Sequence, residues 1–160
     1  DLGDSSVTIG GGYSTSEGSR DGTSATDDTQ GMHIGLSAVT GDLTVAVGFA
    51  DGDSIVDDGT TAALASTQVD GEVIKAGIKY VTGDITLNVG MTDGEAKDSS
   101  TIGTAGTTVD GHTEVGASVS YAVASGVSAV IGYTDVERTD EGSATTNDGS
   151  AWYIGASMSF

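Results

Sequence analysis

The stretch Ile78-Lys79-Tyr80-Val81-Thr82-Gly83-Asp84-Ile85-Thr86-Leu87-Asn88-Val89-Gly90 decides the fold. On either side of Gly83-Asp84 large apolar residues take every second position: Ile78 and Tyr80 before the turn, then Ile85, Leu87 and Val89 after it. Between them stand Lys79, Thr86, Asn88 and Gly90. A period of two belongs to an extended strand whose faces meet different surroundings. Glycine in a two-residue connection supplies the positive φ that a tight hairpin needs. The stretch therefore predicts a β-hairpin with one apolar and one polar face.

Outward from it, the same alternation predicts eight strands, at Ser5–Tyr13, Met32–Val39, Leu43–Ala50, Val73–Val81, Ile85–Thr92, Thr113–Ala122, Val127–Thr134 and Ala151–Phe160. None of them carries a helical period. Thr40-Gly41-Asp42, Thr82-Gly83-Asp84 and Ala124-Ser125-Gly126 are tight turns, while Ser14–Gly31, Asp51–Gly71, Asp93–Gly111 and Asp135–Ser150 read as long polar loops. Tight turns thus fall at one end of the sheet and long loops at the other. That is the layout of an up-and-down β-barrel in an outer membrane, with periplasmic turns and external loops.

The composition agrees and closes off other classes. With 36% hydrophobic residues, 26 glycines, no proline and no cysteine among 160 residues, a conventional core would have to be built from small side chains. The longest apolar runs, such as Ala62–Ala65, are far too short for a transmembrane helix. A formal net charge of -19 excludes nucleic-acid binding, which needs basic patches. Asp1 is not followed by a charged-then-apolar leader, so the chain reads as a processed product or a fragment.

Alternation alone also fits a soluble β-sandwich, and the aromatic residues separate the two. If the tight turns are periplasmic, Tyr13, Phe49, Tyr133 and Trp152 fall near the external rim, and Tyr80, Tyr121 and Phe160 near the periplasmic rim. All seven share the apolar face; only Tyr153 points the other way. Two such belts are what amphipathic rings form at the boundaries of a bilayer. The carboxylates sort likewise, 18 of 24 lying in the four long loops and none mid-strand on the apolar face. The lipid-facing positions at mid-height are expected to be Val45, Leu87, Val119, Ile131 and Ile154.

Catalysis finds no support. His33 and His112 are the only histidines, and neither has a nucleophile, acid or metal ligand at a useful spacing. Gly10-Gly11-Gly12 is not followed by the lysine and helix of a phosphate loop.

The ending Ala151-Trp152-Tyr153-Ile154-Gly155-Ala156-Ser157-Met158-Ser159-Phe160 resembles the closing strand of outer-membrane barrels, with its C-terminal phenylalanine. Together with Gly132-Tyr133-Thr134-Asp135 and the acidic loop, it is similar to general porins of marine and photosynthetic alphaproteobacteria. The resemblance is most specific over Gly126–Phe160. It implies a bacterial outer-membrane homotrimer of 16-stranded barrels, in contact with lipid and lipopolysaccharide, passing ions and small hydrophilic solutes through water-filled pores. This chain would supply strands 9 to 16, without the third loop that narrows such pores. A complete eight-stranded barrel with a structural or adhesive role is the alternative. It is disfavoured because inward residues such as Gly10, Gly35, Gly48, Gly77, Ser118 and Gly155 would leave a small barrel hollow.

The inward positions that carry chemistry are Lys75, Lys79, Glu114, Asn88 and His33. The two lysines, four residues apart, read as the only basic side chains in any strand and so as a local positive strip in the pore wall. The acidic loops should draw cations to the mouth, and Asp51, Asp53, Asp57 and Asp58 form a candidate site for weakly held divalent cations. Structural Ca2+ there is the one cofactor the sequence admits. A secreted calcium-dependent adhesin is a further reading, weakened by the lack of a nine-residue Gly-Gly-x-Gly-x-Asp repeat.

Overall fold

A computed structural model describes residues 4–16, 29–57, 66–99, 108–139 and 146–158. They form β1 (Ser5–Ser16), β2 (Thr29–Thr40), β3 (Leu43–Asp57), β4 (Ser66–Thr82), β5 (Ile85–Ser99), β6 (Thr108–Ala124), β7 (Val127–Thr139) and β8 (Thr146–Met158). The eight strands pair antiparallel in chain order in one sheet. Among the described residues β1 and β8 do not touch, so the sheet is open at both edges. The all-β, antiparallel, up-and-down architecture is the one the alternation predicts.

The three tight turns sit at one end, and each has a glycine with positive φ: Gly41 at 54°, Gly83 at 56° and Gly126 at 74°. Side chains other than glycine rarely adopt that conformation. Successive hairpins are stitched together beside these turns. Val81 N–H donates to the Asp42 carbonyl at 2.9 Å, and Ala122 N–H to the Asp84 carbonyl at 2.8 Å. The third hairpin differs, with a register shift between Ala122 and Ala124 that leaves Val123 as an extra residue.

The register also fixes the slope of the strands. A row of partners begun at Leu43, beside the first turn, runs through Tyr80, Leu87, Val119, Ile131 and Ile154. It reaches Leu87 two residues above Ile85, at the second turn, and Ile131 four residues above Val127, at the third. A stagger of one residue per strand is that of a barrel whose strands tilt by about 36°.

The apolar face has no partner. Among the described residues no hydrophobic side chain is buried, and the exposed ones include Val45, Val47, Ile78, Leu87, Val89, Val119 and Ile131. In the central strands these residues are more exposed than the small and polar residues between them, as in β5, where Thr86, Asn88, Gly90 and Thr92 are the half-covered positions. The large apolar side chains therefore stand on the open outer side, and the small ones on the sheltered inner side. A soluble sandwich requires the reverse. Patches of this size occur on proteins whose solvent on that side is not water.

Two expectations need correction. The strands are longer than predicted, by seven residues at the start of β4 and by seven at the end of β3 and of β5. Asp51, Asp53, Asp70, Asp93, Glu95, Asp110, Asp135 and Glu137 thus lie on strands rather than in loops. Beyond the apolar band both faces are polar, so the alternation fades while backbone pairing continues. Of the outward positions expected at mid-height, Val45 and Leu87 stand two residues above their turns and Ile131 four, on either side of the middle of the apolar band.

Candidate functional site

The inner wall is assembled from the alternate residues that the outer face does not use. Across β1 to β4 it carries Thr8, Gly10, Gly35, Ser37, Ala46, Gly48, Ala50 and Gly77, a shallow trough that no side chain fills. Such residues let neighbouring strands curve without crowding and leave the concave space to solvent.

Two cross-strand rows carry the polar chemistry. In the lower row Lys79, Asn88, Ser118, Gly132 and Tyr153 are successive partners on β4 to β8. The Asn88 amide donates to Ser118 Oγ at 3.3 Å. In the upper row Lys75, Thr92, Glu114 and Val136 are partners on β4 to β7. Thr134 Oγ1 donates to Glu114 Oε1 at 3.1 Å, and His112 Nε2 lies 3.8 Å from Glu114 Oε2. Lys75 and Glu114 flank one depression but stand two strands apart, with Thr92 between them. Strands spaced about 4.8 Å apart keep the two charges separate rather than joined in an ion pair.

All five residues read from the sequence as inward, namely Lys75, Lys79, Asn88, Glu114 and His33, stand on this inner face. His33 folds across β1, where a Cβ on Gly12 would come within 2.7 Å of its ring. The expectation that the two lysines are the only basic residues on strands is wrong. Lys97 lies on the outward face of β5 opposite Asp70, and Arg138 on the inner face of β7 opposite His112. Both belong to strand extensions that show no alternation. Sequence reasoning also missed Thr134 and Ser118 as partners of Glu114 and Asn88.

Where they are described, the aromatic residues stand in two groups, one toward each end of the strands. Tyr80 and Tyr121 lie near the turn end. At the other end Tyr133 and Trp152 pair directly, ring centroids 4.9 Å apart and planes tilted by 51°, while Phe49 and Tyr13 stand at comparable heights on β3 and β1. The hydroxyls point away from the apolar band. Tyr133 donates to Asp135 at 3.0 Å and Tyr13 to Gln30 at 3.3 Å. That is the posture of a ring held at an interface, apolar body inward and polar tip toward water. Phe160 lies outside the described residues. On β3, β5 and β7 the apolar band between these belts spans seven residues, about 23 Å of strand. Tilt shortens that span, and the rings extend it into both interfaces.

For the divalent-cation site the arrangement is thin. Asp51 and Asp53 share the outward face of β3, and Asp53 accepts a hydrogen bond from the Gln30 backbone N–H. Asp51 stands in one row with Glu72 and Glu95. The side chain of Asp57, and Asp58 altogether, lie outside what is described. Among the described residues no three acidic or histidine side chains converge as metal ligands.

No protein-family model matches the chain, and no curated protein does. Solved structures do. OmpT, an outer-membrane protein of Vibrio cholerae, superposes with a TM-score of 0.66 at 19% identity over 84% of this chain and 42% of its own. A form of OmpT lacking loop L8 covers 98% of this chain and 49% of its own, with a TM-score of 0.61 at 17% identity. Ail, the attachment invasion locus protein of Yersinia pestis, aligns over 96% of both chains at 19% identity but with a TM-score of 0.37. The chain spans about half the length of the OmpT structures it matches. At these identities the likeness is one of fold, and the fold is that of an outer-membrane β-barrel, in agreement with the bacterial outer-membrane location expected from the sequence.

Proposed function

We propose that the chain forms part of the wall of a water-filled outer-membrane channel of the general porin kind, half of a 16-stranded barrel, for passive diffusion of ions and small hydrophilic solutes. The observation that carries this reading is the inner face. Eight strands closed on themselves make a barrel just wide enough for side chains to fill, and here most inward residues are glycine, serine, threonine and alanine, with Lys75, Lys79, Asn88, Glu114 and Tyr153 among the few larger ones. The open edges support it too. On β1 and β8, Ile9 and Ile154 are 71% and 83% exposed, against 46% for Val47 and 40% for Leu87 inside the sheet. An edge strand in lipid leaves backbone groups unsatisfied, so β1 and β8 must each find a partner, and in this reading the partners are further strands. The half-length overlap with OmpT, one structure of which is described as a trimer form, points the same way. The homotrimer and the alphaproteobacterial kinship rest on the sequence resemblance.

The strand number alone would also serve a complete eight-stranded barrel of structural or adhesive role. Two measurements on the polypeptide extracted from its native membrane separate the readings. The porin reading expects an intact mass about twice that of the 160-residue chain and stable ohmic conductance steps in a planar bilayer. A mass equal to that of the chain, or a correctly inserted protein that does not conduct, would contradict it.

Cations concentrate at the outer mouth in this reading, because Asp51, Glu72 and Glu95 repel one another across adjacent strands unless counter-ions gather there. Calorimetric titration is expected to detect weak calcium binding at about millimolar concentration. Heats indistinguishable from dilution would remove calcium from the account and leave plain solvation.

A further inference from the structure

We infer that the row Asn88, Ser118, Gly132 and Tyr153 is a weak binding site for neutral ring-shaped polyols, that is, saccharides, on the inner wall. The inference rests on the proposed channel only for its physiological meaning; the site itself is a property of the wall. Tyr153 is the one described aromatic residue on the inner face. The hydroxyl half of its ring lies directly over Gly132, where any Cβ would run into it. Gly132 is thereby covered, and it is the one buried residue among those whose burial is described.

The ring thus crosses β7 along the wall instead of projecting from it. It remains 48% exposed toward the concave space, and no hydrogen bond occupies its hydroxyl among the described residues. An aromatic face held against a wall is a platform for the C–H face of a sugar ring, and the polar tip remains free to bond a sugar hydroxyl. One strand further along the same row stands Ser118, and two strands further Asn88. Strands about 4.8 Å apart put these groups roughly 5 and 10 Å from Gly132, within the span of a disaccharide stacked on Tyr153.

Charge selects among solutes that could stack. With a net charge of -19 the protein repels anions at its mouth, whereas a neutral sugar meets no such barrier. The nearest cation in the row, Lys79, is a further strand beyond Asn88, too far to pair with a solute centred on the ring. Hydroxyl and amide groups beside an aromatic face match a molecule that alternates donors and acceptors around an apolar ring face.

The test uses the whole native polypeptide that carries this chain, folded in detergent micelles, with maltose as the probe and NMR as the readout. Maltose is expected to shift Tyr153, Ser118 and Asn88 resonances saturably at millimolar concentration and to leave Thr8 and Ser37, on the same face three or more strands away, unmoved. Tyr153→Ala should weaken binding by roughly five- to tenfold. Tyr153→Phe should retain most of it, and Asn88→Ala serves as a second variant if Tyr153→Ala does not fold. Absence of saturable shifts, or unchanged affinity in both Tyr153→Ala and Asn88→Ala, overturns the site. Binding needs no ion flow, so a protein that binds maltose but does not conduct refutes the channel alone, and one that conducts without binding refutes the site alone.

Discussion

Ile131→Arg is expected to lower folding stability in a bilayer by about 2 to 4 kcal/mol, the cost of an arginine near the midplane on the lipid face of a barrel. Ile131 is paired with Val119 on one side and Ile154 on the other, all outward, and it stands four residues above its turn. No carboxylate is placed to receive the guanidinium there, since the outward row next above Ile131 and Ile154 is Tyr133 and Trp152. Ile85→Arg should cost clearly less, about 0 to 1 kcal/mol, because its position directly after the turn and beside Tyr121 is close enough to the interface for the side chain to reach water. Urea unfolding from lipid vesicles measures both. Equal costs at the two positions would show that height above the turns does not measure depth in the bilayer.

The second large effect concerns ion selectivity. Changing Lys75 and Lys79 together to glutamate is expected to raise the cation-to-anion permeability ratio about two- to tenfold, with little change in thermal stability. The two lysines lie on the inner face of β4 roughly 13 Å apart along the strand, opposite Gly48 and Thr44 on β3 and Thr92 and Asn88 on β5. None of these neighbours is charged, so a charge at 75 or 79 acts on the aqueous path and not on a fixed partner. In the proposed channel the acidic mouth would favour cations while this strip opposes them, and weak net cation selectivity is the expected balance. Reversal potentials in a planar bilayer report the change. An unchanged reversal potential from correctly inserted double mutant would mean that β4 does not border the conducting path.

The fold was legible where lipid imposes a pattern and illegible where it does not. Ile85 to Met91 alternate because one face must be greasy, and the turn at Gly83-Asp84 fixes the partners on either side of it. Counting outward from Thr82 and Ile85 already pairs Lys79 with Asn88. Past Met91 the outward positions become Asp93, Glu95 and Lys97. Both faces are then polar, so nothing in composition distinguishes a paired strand from a loop. Lys97 and Arg138 were lost for that reason, and the cation site built on Asp51 and Asp53 was mistaken for loop.

Register across the external connections was equally hidden. β7 and β8 are joined through residues 140–145, whose sequence carries no two-residue turn signal to set which residue of one strand faces which of the other. The approach of Tyr153 to Gly132 could not be read from the sequence, although Tyr153 was already the aromatic residue on the unexpected face. The bulge at Val123 has no marker either, since Ala122, Val123 and Ala124 would suit a regular strand equally well.

The central claim is that each strand presents one face to lipid and the other to water, and β5 tests it most directly. The chain contains no cysteine, so single cysteines can be placed one at a time from Ile85 to Thr92 in protein folded into vesicles. The account predicts that a water-soluble maleimide labels cysteines at 86, 88, 90 and 92, while those at 85, 87, 89 and 91 resist it and react with a lipid-soluble probe. Labelling without a period of two, or with the two sets exchanged, would contradict it.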